Sequence, residues 1–198
     1  MKSSVYHDIV NSQLSYAISV WGGTANGDVL KQLFYLQKRA LRNLFSIRRV
    51  SKFVKGHTKF VFFTNKILNV YNIYNYMTTL GIAKLIKTNS PPSLCSLLKF
   101  ETDNSTTSCS NRVHKPKLKL VRYQNQFCYQ APKLWNFLAG SNDICNFITT
   151  APSLTSLRGR LKSFLLIMQN FGTCVNDVNW YEHNKSVFCY LTSIKKDK

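Results

Sequence analysis

Acidic side chains are what this sequence lacks most: 8 Asp and Glu stand against 27 Lys and Arg in 198 residues, a formal charge of +19. The few acids are scattered, and the closest grouping is Glu101 with Asp103. Two-metal phosphoryl or nucleotidyl transfer needs clustered carboxylates, so no such centre is readable here. Long apolar runs are also missing. The longest, Phe60 to Phe63 and Phe164 to Met168, fall far short of the roughly 20 residues a spanning helix needs. The opening segment is broken by Asp8, Asn11 and Gln13 and lacks a secretory apolar core, which leads to an intracellular expectation, cytoplasmic or nuclear. Glycines are few and form neither a phosphate-binding loop nor a dinucleotide fingerprint. The six cysteines are far apart and no pair has zinc-site spacing, so reduced thiols are expected, with no metal or other cofactor. His7, His57, His114 and His183 belong to no nucleophile or base signature.

What is present is a globular share of apolar residues, 44%, and a large positive charge. Such a chain repels itself unless a polyanion neutralises it, and nucleic acid is the expected partner. The apolar residues Tyr6, Val10, Leu14, Ala17, Ile18 and Trp21 recur at helical spacing, and Gly22-Gly23 ends that helix. A second helix is expected from about Val29 to Ile47, with Asp28 as its N-cap. Leu30, Leu33, Phe34, Leu36, Ala40, Leu41, Leu44, Phe45 and Ile47 fill one half of it, while Lys31, Lys38, Arg42 and Arg49 form a basic stripe on the other. A third helix spans Ile67 to Lys87, ended by Ser90-Pro91-Pro92.

The polar stretch Glu101 to Asn111 reads as a loop. Beyond it, Lys117-Leu118-Lys119-Leu120 and Gln126-Phe127-Cys128-Tyr129 read as two short strands. Pro132 then suits the first turn of a short helix, and a last helix starts near Ser153 with Leu154, Leu157, Leu161, Phe164, Leu165 and Met168 on one arc. The expected class is mainly α with a small β element (α+β). Its parts are a helical region at 1–98, a polar linker at 99–116, a small α+β region at 117–169 and a weakly ordered tail at 170–198.

Three basic groups could follow a phosphate backbone: Lys31, Lys38, Arg42 and Arg49; Lys115, Lys117, Lys119 and Arg122; and Arg158, Arg160 and Lys162. A solvated face is the ordinary fate of surface lysines, but acids that would offset these positions are nearly absent. The aromatic residues Tyr71, Tyr74, Tyr76, Phe127, Tyr129 and Trp135 could stack on bases. Helical spacing assigns most of them to the core instead.

Read in order, several segments resemble the region that follows the polymerase core in reverse transcriptases of non-LTR (LINE-type, jockey-like) retrotransposons. Asn11 to Gly22, NSQLSYAISVWG, is similar to the family's S-H-L-x-Y-G-x-x-x-W-G, with Gln13 in place of His and Ala17 in place of Gly. Leu33 to Arg42, LFYLQKRALR, resembles L-x-x-L-Q-K-R-A-x-R. His57 to Phe62 resembles H-T-x-x-x-F, and Tyr129 to Leu138 resembles an aromatic, P-K-L-W-N-x-L ending, with Ala131 in place of a Gly and Ala139 in place of a Pro. Ser153 to Lys162 is similar to the closing S-L-x-x-F-K-x-x-L-K helix.

The likeness covers residues 3 to 168. It implies a thumb and post-thumb region of an RNA-directed DNA polymerase, whose helices brace RNA, DNA or an RNA–DNA hybrid through its backbone. It also implies that the aspartate box holding Mg²⁺ lies in an upstream polymerase core, which would be the partner of this region, so this chain is expected to be inactive alone. The alternatives from other classes are a stand-alone basic interaction protein without enzymatic activity and, behind it, a secreted disulfide protein.

Overall fold

In the computed structural model the described residues are 2–23, 27–46, 57–96, 98, 113–114, 116, 126–139, 151 and 153–170, and they are mostly helical with no strand among them. The chain runs α1 (Lys2–Val5), a π-helical stretch (Tyr6–Asn11), α2 (Ser12–Ser15), α3 (Ile18–Trp21), α4 (Gly27–Leu44), α5 (His57–Thr64), α6 (Val70–Thr88), α7 (Pro92–Cys95), α8 (Phe127–Ala139) and α9 (Leu154–Asn170). The expectations for the Glu101 to Asn111 loop, the strand at 117–120 and the 171–198 part of the tail lie outside the described residues.

Helix α6 is the centre because its sequence has hardly a solvent face. Val70, Tyr71, Ile73, Tyr74, Ile82, Ala83 and Leu85 are buried, and they point to all sides of the helix. A helix apolar nearly all round needs neighbours all round. It has them: α2, α3, α4, α8 and α9 all pack against it. Its start is capped by Asn69, whose side chain accepts from the Asn72 N–H at 2.9 Å. Its end is Asn89, in the left-handed region at φ 48°, whose N–H bonds to the Leu85 carbonyl. Leu157, Leu161 and Leu165 of α9 are buried on the arc read from the sequence, and each contributes about 1.5–3 kcal/mol by leaving water. Ala131, Leu134 and Trp135 of α8 belong to the same core cluster, so helices on both sides of the polar stretch share one core.

Glycine is needed where α3 crosses α6. A Cβ on Gly22 would stand 2.5 Å from the Ile18 carbonyl oxygen and 2.6 Å from Tyr74 Cδ2, so no larger residue fits.

The structure corrects several sequence expectations. The helix expected from Tyr6 to Trp21 is broken at Tyr16 and Ala17, where ψ swings to 115° and then φ to +48°. The turn is held by Trp21, whose indole Nε1 donates to the Tyr16 carbonyl at 2.8 Å. The strand expected at Gln126 to Tyr129 is instead the start of α8. A short aromatic run fits either period, and here the helical one wins because Phe127, Ala131, Leu134 and Trp135 then face α6 together. Pro132 therefore lies inside the helix rather than in its first turn, and removes the N–H that would bond the Cys128 carbonyl. Helix α5 is an addition that periodicity did not supply.

Candidate nucleic-acid interface

The basic stripe of α4 does not stand wholly in solvent. Leu30, Phe34, Gln37, Lys38 and Leu41 are the buried residues of this helix, whereas Leu36 is 57% exposed. At about 100° per residue this turns the buried arc by about 60° toward the cations, relative to the apolar half read from the sequence. Lys38 is only 5% exposed, and its Nζ lies 5.0 Å from the centroid of the Phe34 ring, a cation–π contact. It is a packing residue here, not a phosphate contact. Lys31 and Arg42 remain half-buried at the surface.

The reason for the turn is Gln37. Its Nε2 donates to the Tyr6 hydroxyl at 2.7 Å and to the Leu68 carbonyl at 2.8 Å, and its Oε1 accepts from the Val70 N–H at 3.0 Å. Gln169 of α9 completes the joint from the other side. Its Oε1 accepts from the Asn69 N–H at 2.9 Å and from Asn72 Nδ2 at 3.2 Å, and its Nε2 donates to the Ile67 carbonyl at 3.1 Å. Two buried amides thus bring α4, α9 and the π-helical stretch onto residues 67–70, and the bonds satisfy backbone groups that would otherwise lie buried and unpaired.

That joint positions a group of cations. Lys162 of α9 is half-buried, and burial first and the Lys66 charge second hold its ammonium below the usual lysine range. Burial and the charge of Lys162 likewise lower His7, with Asp8 opposing them. Lys162 therefore feels the charge of Lys66, and His7 that of Lys162, across three parts of the chain. On the same helix, Arg158 is exposed and close enough to Tyr76 to oppose the upward push of burial on its phenol. Arg160 is half-buried. Arg49, Lys115, Lys117, Lys119 and Arg122 lie outside the described residues. Sequence reading missed His7 and Lys66, because each is an isolated basic residue whose neighbours come from distant segments.

The residues that carry the resemblance are mixed: Tyr16, Leu36 and Arg39 are exposed, and others are interior. Gln37 and Lys38 are buried, Gly22 is fixed by close approach, and Leu134 and Trp135 are in the core. Asn136 clamps the backbone of Val113: its Oδ1 accepts from the Val113 N–H at 2.9 Å and its Nδ2 donates to the Val113 carbonyl at 2.7 Å. Ala17, where the family pattern has glycine, has a left-handed backbone. Tyr71, Tyr74 and Trp135 are core residues as their spacing indicates, while Tyr76, Phe127 and Tyr129 are half-buried.

Among the described residues no three His, Cys, Asp or Glu side chains come together, so these do not form the carboxylate set that Mg²⁺ needs. Cys95 and Cys128 are free thiols. No helix among the described residues is long and apolar enough to cross a membrane. No protein-family model, curated protein or solved structure matches the chain.

Proposed function

We propose that the chain is a C-terminal, thumb and post-thumb region of a LINE-type RNA-directed DNA polymerase. In this reading it holds RNA or an RNA–DNA hybrid by the phosphate backbone and has no catalytic centre of its own. The observation that carries the proposal is the meeting of Lys66 with Lys162, which shares a face of α9 with Arg158, in a chain of charge +19. A half-buried ammonium such as Lys162, held beside the charge of Lys66, gains from a phosphate that neutralises it. The ordered motifs support the polymerase reading, and Gln37, Gly22, Leu134 and Trp135 among them fix the packing.

Binding of an RNA–DNA hybrid should weaken with salt. For about five phosphates, log affinity against log salt concentration has a slope between about −3.5 and −4.5. Charge reversal at Arg158 and Arg160 should flatten it, and an unchanged slope would remove these residues from the interface. Primer extension with Mg²⁺ should give no incorporation by the chain alone. A second reading, a basic interaction protein without enzymatic activity, is favoured by Val29, Tyr35 and Leu36 standing exposed on α4. Hybrid binding no tighter than binding to polyglutamate would support it.

A further inference from the structure

We propose that the outer face of α5 is a stacking platform for single-stranded RNA or DNA, on which bases lie against Phe60 and Phe63 while the phosphates run toward Lys66 and Lys162. This rests on the nucleic-acid reading above and names a site for it. Phe60 and Phe63 are 69% and 61% exposed and sit three residues apart, so both rings stand on one side of the helix. The opposite side is anchored, with Thr58, Val61 and Phe62 buried and the Phe62 ring 6.1 Å from that of Phe34. The rings are therefore held out from a fixed support.

The end of α5 leads from the aromatic pair to the cations. The Lys66 N–H bonds to the Phe63 carbonyl at 3.1 Å and the Ile67 N–H to the Phe62 carbonyl at 2.9 Å, the paired bonds of a Schellman ending. Lys66 occupies the left-handed position of that ending, at φ 51°, where glycine is the usual residue. Its ammonium shares a field with Lys162, and the Gln169 bonds to Ile67 and Asn69 fix α9 beside this loop.

Charge complementarity selects the occupant. No Asp or Glu occurs in the sequence between Asp28 and Glu101, so α5 and its surroundings in sequence bear only positive charge. Exposed aromatic rings beside cations suit unpaired bases, each of which offers a flat π face, whereas a duplex keeps its bases stacked and offers only phosphates to such a surface.

The test measures anisotropy of labelled oligo(U), oligo(dT) and a blunt DNA duplex of equal length with the full chain. The double variant Phe60→Ala/Phe63→Ala should lose at least about tenfold on both single strands. It should keep its duplex affinity and its unfolding temperature. Phe60→Leu/Phe63→Leu, which keeps an apolar surface, should lose as much; full retention with leucine would overturn stacking in favour of an apolar protein-docking face. Lys66→Gly relieves the backbone at φ 51° and should fold at least as well, yet reduce the single-strand salt slope by about 0.7. Single-strand binding undiminished by Phe60→Ala/Phe63→Ala, or an equal loss on duplex, overturns this inference alone. A wild-type chain that binds none of the three probes overturns the nucleic-acid reading as well.

Discussion

At the N-terminal end of α6, Gln37 and Gln169 each use both ends of their side-chain amides, whereas one turn further along Asn75 uses neither. All three are buried to within a few per cent. The glutamines meet backbone groups of residues 67–70, so their bonds replace water that these groups lose on folding. Asn75, packed within the same helix, finds no hydrogen-bond partner for Oδ1 or Nδ2 among the described residues. An unmet buried polar group costs about 1–3 kcal/mol, while a satisfied network contributes modestly but fixes the geometry of everything joined to it. One end of α6 specifies the packing; the middle gives stability away.

The largest expected effect comes from pH, since each region has a buried phenol. Tyr6, bonded to Gln37, and Tyr74, above Asn75 on α6, are both pushed up to about 12, by burial in each case, with Gln37 and Thr78 respectively pulling the other way. The folded value lies above the unfolded value of about 10, so the stability they contribute is whole below pH 10 and lost as pH rises through about 12. Two units correspond to roughly 2–3 kcal/mol for each tyrosine. Urea unfolding between pH 9 and 12, followed with phenolate absorbance, should show the two rings ionising only as the chain unfolds. Ionisation near pH 10 in a chain that stays folded would mean that neither region is dry.

Next in size is Gln169→Leu. It keeps the volume but strands the Asn69 N–H and the Ile67 carbonyl, and should cost about 3 kcal/mol in urea unfolding. A loss under about 1 kcal/mol would show that α9 does not depend on this joint. Asn75→Leu should act with the opposite sign, a gain of about 1 kcal/mol, because it removes two unmet polar atoms and adds apolar contact. If both substitutions destabilise alike, the contrast between the two regions fails.

Part of this was legible in the sequence. Helix α9 was, since Leu157, Leu161 and Leu165 repeat every fourth residue and the Ser153 hydroxyl accepts from the Ser156 N–H at 3.1 Å, an ordinary cap. The rotation of α4 was not. Hydropathy puts Leu36 inside and Lys38 outside, but the partners of Gln37 lie more than 30 residues away, and the Lys38 stem can cover Phe34 at little cost. The same limit applies to the interface. Arg158 and Lys162 share a face of α9 because they are four residues apart, Arg160 lies on its other flank, and Lys66 and His7 join Lys162 only through tertiary packing. Phe60 and Phe63 read as an apolar run, and only the fold shows that Val61 and Phe62 turn inward while they turn out.

The smallest effect is at Ala17, where α3 begins its passage across α6. A left-handed backbone costs a residue with a Cβ about 1–2 kcal/mol, and Ala17 stands at φ 48°. Glycine removes that cost but brings more unfolded-state freedom, worth about 0.4–1 kcal/mol against it. The balance favours Ala17→Gly by about 0.5 kcal/mol, which for a chain of this size raises the unfolding temperature by roughly 1–2 °C. The exposed Ala17 methyl group makes no core contact whose loss would reverse the sign. A fall in unfolding temperature would show that the turn is not strained, and that the glycine of the family pattern answers to something other than backbone conformation at this position.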